Sequence, residues 1–160
     1  MPTNPYAPQL GGADPIEVIR ATPARIESLI QSIGPETLAH SPAPGKWSIR
    51  DIIAHLADCE IVFAFRLRQT VAEPHPVIQP FDQDHWAAPY PHYDARTALA
   101  AFSAVRHWNI ALIAGLKPED FDRTMNHPER GDMTFRTVIE TMGGHDRNHL
   151  PQIEAILNKS

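Results

Sequence analysis

The sequence predicts an all-α fold, a four-helix bundle with a long crossover loop between helices two and three, and three observations predict it. Apolar residues recur at helical spacing over four stretches of roughly twenty residues each. Each stretch opens on an Asp, Ser or Thr placed to cap it. The 16 prolines fall mostly between the stretches, as punctuation, and no segment alternates polar and apolar residues as a half-buried strand would.

Residues 1–13 are rich in Pro and Gly and read as a flexible N-terminal arm; residues 14–160 read as one domain. The first helix starts at Asp14-Pro15-Ile16-Glu17, with Asp as N-cap, Pro at the first helical position and Glu at the third. It runs through Ile26, Leu29, Ile30 and Ile33 to Gly34-Pro35. Pro23 lies inside it, so the helix either kinks there or restarts with Thr22 as a new cap. The second helix, about 48–71, is capped by Ser48 with Asp51 three residues on, and its stripe is Ile49, Ile52, Ile53, Leu56, Cys59, Phe63 and Leu67. A proline-dense crossover, AEPHPVIQPFDQDHWAAPYPHY, follows. Asp94 caps the third helix, about 95–116, with Leu99, Phe102, Val105, Leu112 and Leu116 inward. Thr134 caps the fourth, about 135–157.

A chain of 160 residues can bury a sizeable core as one domain. The net charge of −5 and the lack of any Lys/Arg run argue against a nucleic-acid partner. The single cysteine, Cys59, excludes an internal disulfide framework and a Cys-rich zinc site. The longest strongly apolar run, IVFAF, is too short to span a bilayer, and MPTNPYAPQLGG is not a signal peptide. A soluble cytoplasmic protein is expected.

Three histidines carry the chemistry. His145 and His149 stand four apart in GGHDRNHLPQI, a spacing that puts two imidazoles on one helix face, one turn apart. His55 lies on the apolar face of the second helix, between Ile52 and Cys59. Three imidazoles would hold a metal and leave a position open for water or substrate, the ligand count of a catalytic site. The fourth helix breaks local rules around this pair. Gly143-Gly144 suggests that something bulky or another backbone comes close, and Pro151 frees the Arg147 carbonyl. Frayed surface histidines would also account for this pattern.

Around the trio, Asp58 and Asp51 either orient the second nitrogen of His55 or are solvated. Glu60 pairs with a basic residue inside the bundle or faces solvent. Cys59 reads as a small core residue, with a soft ligand or reactive thiol as the alternative. Asp146 and Asp84 are the catalytic candidates, Asp146 for a supporting or acid–base role. The segment Phe81-Asp82-Gln83-Asp84-His85-Trp86 is either a lid over the metal or a loop anchored by its two aromatics. His40, His75, His92, His107 and His127 lack partner spacing and read as surface or loop residues.

Three segments carry a resemblance. PAPGKWSIRDIIAHLADCE, with Trp47-Ser48 as cap and His55 as first ligand, HPERGDMTFRTVI as the turn into the fourth helix, and HDRNHLPQI as an H-x-x-x-H helix resemble, in this order, the DinB-like family of DinB/YfiT-type metalloenzymes. The likeness covers roughly residues 14–157; Pro151 departs from the family's helix. It implies a bundle of unusual connectivity, a divalent metal (nickel or zinc) on His55, His145 and His149, and a homodimer. Relatives of this type include transferases and isomerases that use low-molecular-weight thiols; many carry only the label of a metal-dependent hydrolase.

The first functional expectation is therefore a metal-dependent transferase acting on a small molecule, with a low-molecular-weight thiol on the metal. The second is a hydrolase using metal-bound water, which needs a nearby carboxylate base, from Asp82, Asp84 or Asp146. The thiol's polar tail needs a partner, for which Arg66 and Arg68 are candidates. The third is a non-catalytic bundle that the metal stabilises.

Overall fold

The structure, a computed structural model, describes residues 3–158. Its helices are α1 (Ala7–Leu10), α2 (Pro15–Ile30), α3 (Pro35–Ala39), α4 (Ile49–Ala72), α5 (Gln83–Ala87), α6 (Ala95–Ala114) and α7 (Phe135–Leu157). Two 3-10 turns lie at Tyr90–His92 and Pro118–Asp122, and two strands, β1 (Thr124–His127) and β2 (Gly131–Thr134), precede α7. None of the described helices is long and apolar enough to cross a membrane.

The four long helices begin at the expected caps. Asp14 accepts from the Ile16 N–H at 2.8 Å with Pro15 next to it, and Asp94 accepts from Thr97 N at 2.8 Å. Ser48 and Asp51 close a reciprocal capping box at 3.2 and 3.0 Å. Thr134 does the same with Thr137. Pro23 neither breaks α2 nor starts a new helix: α2 is continuous, and Thr22 donates back to the Val18 carbonyl at 2.9 Å instead of capping. Proline removes the N–H that Ile19 O would have accepted. The buried Arg106 guanidinium supplies that hydrogen bond from α6, at 2.9 Å.

α2 packs on α6 and α7, and α4 packs on the same two, so α2 and α4, the first pair in sequence, sit diagonally. The core explains the arrangement. One apolar cluster takes Ile26 and Ile30 of α2, Ile49–Leu56 of α4, Leu99 and Phe102 of α6, and Ile153 of α7. The other takes Ile19 of α2, Phe63 and Leu67 of α4, Ile113 of α6, and Phe135–Met142 of α7. Following each chain from cluster to cluster, α4 and α6 run one way, α2 and α7 the other. A helix of 24 residues such as α4 rises roughly 36 Å, so a parallel successor requires a long return. Residues 73–94 provide it, which is why the bundle needs its crossover. Between the two apolar clusters lies a polar layer to which every long helix contributes.

Over its described part the arm carries α1, which packs on α7: Leu10 is buried, and Arg147 donates to the Leu10 carbonyl at 3.3 Å. Residues 1–2 of that arm, and 159–160 of the domain, lie outside the described residues. Two further expectations change. The second loop is partly a β-hairpin, in register Met125↔Met133 and His127↔Gly131, with Gly131, which opens β2 after the turn, at φ +77°. Four-residue strands give too short an alternation to be read from sequence. The inward stripe of α6 holds Arg106 and Asn109, whereas Val105, Leu112 and Leu116 are only half-buried. Polar groups take core positions there because carboxylates on α4 and α7 meet them.

Candidate metal centre and its cavity

His55 of α4 and His145 and His149 of α7 meet in the polar layer, 0%, 3% and 6% exposed. Their ring centroids lie 5.0 Å (His55–His145), 4.9 Å (His55–His149) and 4.5 Å (His145–His149) apart. The Nε2 atoms of His55 and His145 stand 2.9 Å apart. Two lone pairs face each other at that distance only with something positive between them: the proton of one neutral ring, or a metal ion. Cys59, one turn along α4, places Sγ 3.5 Å from His55 Nε2. His55, Cys59 and His145 each offer a donor atom, and these lie within 4.8 Å of one another, a group able to hold a metal ion. His149 shares the ring cluster but not that tightest donor group. Its Nδ1 stands 3.1 Å from Gln152 Oε1.

Burial sets the charge of these groups. It drives His55 down to about 3, helped by His149, and pulls His145 well below its ordinary range, helped by His149, His55 and Arg106. His149 is also lowered by burial, opposed by Gln152 and Asp146. All three are therefore neutral at pH 7, the form that ligates a metal. Burial pushes the Cys59 thiol up, so it is protonated unless a metal takes it. Trp47 covers His55 at 4.8 Å and stacks near His149 at 6.4 Å; Tyr6 meets His145 edge-on at 5.0 Å.

The two glycines of α7 account for Tyr6. A Cβ at Gly144 would collide with the Tyr6 carbonyl oxygen and come within 2.8 Å of Tyr6 Cβ. One at Gly143 would lie 3.1 Å from Pro15 Cα and 3.2 Å from Leu10 Cδ1. The close backbone inferred from Gly143-Gly144 is the N-terminal arm at Gly144 and the start of α2 at Gly143.

A second cluster fills the adjoining part of the layer. Arg106 donates to Asp146 at 2.6 and 3.1 Å, to Glu60 at 2.8 Å and to Ile19 O; Asn109 donates to Glu60 at 2.7 Å. Although burial lowers the Arg106 pKa, Asp146 and Glu60 outweigh it and raise the net value. Glu60 thus takes its intrabundle option. Asp146 is fixed here by Arg106, and its charge is felt at Cys59 and His149. Asp51 serves the cap and pairs with Arg50 at 3.0 Å, and among the described residues no hydrogen bond joins Asp51 or Asp58 to His55. Asp84 is exposed on α5 and Asp82 caps that helix, so neither reaches the imidazoles.

A cavity of about 210 Å³ opens on Cys59 and His145. Tyr6, Phe63, Arg66 and Thr141 line it, the hairpin contributes His127, Glu129 and Arg130, and the crossover contributes Pro80, Phe81 and Gln83. The crossover thus borders the site, with Phe81 packed edge-on to Trp86 at 5.2 Å. Of the two arginines considered, Arg66 lines this cavity; Arg68 bonds Asn109 and lies over Trp108. His127 is 4% exposed, contrary to its reading as surface or loop, because it follows Met125 on the inward side of β1. Sequence reasoning missed Tyr6, His127 and Arg130. The only signal was the Met-x-His alternation, too short to read alone.

Comparison with known proteins fits this architecture. A protein of Oceanobacillus iheyensis named "putative metal-dependent hydrolase" is 29% identical over 145 residues, 90% of this chain and 84% of that one. A protein of Bacillus mycoides with the same description is 24% identical over 142 residues, 88% and 82% of the two chains. YfiT from Bacillus subtilis, described as "a probable metal-dependent hydrolase with an unusual four-helix bundle topology", superposes with a TM-score of 0.83 at 22% identity, over 91% of this chain and 85% of that one. The DinB superfamily model matches residues 19–153, and on that match the chain belongs to the DinB superfamily.

Proposed function

We propose that this chain is a metal-dependent enzyme in which His55, His145 and His149 hold one divalent ion, nickel or zinc, and a small thiol reacts with an electrophile in the adjoining cavity. One observation carries the reading: three buried imidazoles, all in the neutral ligating form, converge at one spot that opens on a cavity. When bound, the ion supplies charge that lowers the pKa of whatever fills its open position, a thiol for transfer or water for hydrolysis.

The chain's own groups favour the thiol. Asp146 is tied to Arg106, Asp82 caps α5 and Asp84 is exposed, so none of the expected carboxylates is poised as a base. Gln152 accepts the Nδ1–H of His149, which leaves Nε2 as the ligating nitrogen. Trp47 and Tyr6 shield the rings from water. Hydrolysis is the second reading, favoured by the names of the relatives and by Glu129, the one carboxylate among the described residues of the cavity lining. The cavity argues against a metal that only stabilises the bundle. Exposed Ile61 and Phe65 on α4 support a homodimer, which light scattering tests.

Elemental analysis of the untagged protein tests the site. About one nickel or zinc per chain is expected, with none in His149→Ala and retention in Cys59→Ser. Full retention in His149→Ala with loss in Cys59→Ser would replace His149 by the thiol. Catalysed loss of a small thiol in the presence of an alkylating electrophile then separates transfer from hydrolysis.

A further inference from the structure

The cavity beside the imidazoles gathers positive charge without neutralising it. Arg66 arrives from α4, and His127 and Arg130 arrive from the hairpin. Neither arginine belongs to an ion pair among the described residues, although other arginines of this chain do. Arg66 donates one Nη2 hydrogen bond to the Gln79 carbonyl at 2.8 Å, and its Nε is buried without a partner. The Nε of Arg130 is likewise buried and unpartnered, and no side-chain hydrogen bond joins its guanidinium to a described residue. Among the described residues Glu129 is the only acid in the lining, and it is exposed.

The three groups act on one another across the same space. Burial and the Arg130 charge lower Arg66 to about 10. Burial, then Arg66 and Arg130, lower His127. Buried polar atoms are nearly always satisfied, and guanidinium groups bind oxyanions through paired donors. Two guanidinium groups without ion pairs, each with a buried and unpartnered Nε, line one cavity together with a neutral imidazole and form a receptor for an anion. The fold brings them together only through the hairpin, whose β1 strand pairs with the crossover at Val77. A cavity of about 210 Å³ has room for roughly seven waters at liquid density, the scale of a small anionic molecule.

We propose that Arg66 and Arg130, with His127, bind the oxyanion group, a carboxylate or a phosphate, of the small molecule that reacts at the neighbouring imidazole centre. The metal-site reading supplies the identity of that molecule as substrate or thiol; anion binding by the two arginines does not depend on it. In the transfer reading the oxyanion is the polar end of a reactant whose other end reaches Cys59 and His145.

The test is calorimetric titration of the full chain with inorganic phosphate and, separately, with succinate, as purified and after removal of metal by a chelator. Saturable binding of at least one anion is expected in both preparations, weakened at least tenfold in Arg66→Met and in Arg130→Met. Arg130 lies beside the hairpin turn without an ion pair, so its variant keeps the bundle, and circular dichroism checks this. Binding of phosphate but not succinate assigns a phosphorylated ligand; the reverse assigns a carboxylate. Absence of saturable binding by either anion, or binding unchanged in a folded Arg130→Met, overturns the proposal. Binding that needs the metal and ignores both arginines also overturns it. Loss of metal in His149→Ala bears on the metal centre alone, so the two readings fail separately.

Discussion

His145 and Asp146 are neighbours on α7, and both are buried in the polar layer, but they enter different clusters. Asp146 joins Glu60, Arg106 and Asn109, where the two carboxylates and the guanidinium answer one another and only Arg106 Nε lacks a partner. His145 joins His55 and His149, where the rings are uncharged, their nitrogens face each other, and a cavity adjoins. The first cluster pairs its own charges within the chain and ties all four long helices through Ile19, Glu60, Arg106 and Asp146. The second holds no opposing charges and borders a cavity.

Breaking the ionic cluster should have the largest effect. Arg106→Met leaves two carboxylates buried without their cation and frees the Ile19 carbonyl. The expected loss is about 3–5 kcal/mol in denaturant unfolding. A loss below about 1 kcal/mol, the scale of a surface ion pair, would show that the cluster is not a clamp.

Gly144→Ala addresses the other cluster through its cover. Overpacking against the Tyr6 backbone costs about 1–3 kcal/mol, and alanine returns about 1 kcal/mol of helix propensity. A modest net loss is expected, with faster proteolysis before α2 as the arm lifts from α7. Unchanged proteolysis would mean that the arm is not held by this contact.

The smallest effect is expected from pH. His55 titrates near pH 3 in the fold and near 6.5 when unfolded, so the unfolded chain binds the extra proton between these values. Its stability contribution is complete above about pH 6.5 and falls as pH drops toward 3. His55 alone should cost the metal-free protein on the order of 1 kcal/mol per pH unit between pH 6.5 and 5, on top of what His145 and His149 contribute, and His55→Gln should reduce the slope by about that amount. An identical slope in the variant would place the titration elsewhere.

The site was legible in part. His145 and His149 share a face because helical periodicity fixes it, and His55 points inward because Ile52 and Cys59 flank it. The caps were legible for the same reason, since Asp14, Ser48, Asp94 and Thr134 act on backbone N–H groups within their own first turn. Arg106 was not legible as a core residue, because no local rule places a charge inside until its carboxylate partners on α4 and α7 are known. Tyr6 was hidden for a similar reason: Gly144 announced a close backbone but not whose.

The sequence by itself determined four helices, their starts, the proline-dense return between the second and third, and an imidazole pair one turn apart with a third on an apolar face. These are local properties, set by turn geometry and by periodic burial. Only the tertiary structure decided that α2 and α4 lie diagonally, that Arg106 takes the hydrogen bond Pro23 leaves open, and that Arg66, His127 and Arg130 share a cavity with His145. Those contacts join residues far apart in the chain, and their energies depend on burial and on neighbouring charge, which exist only once the helices have packed.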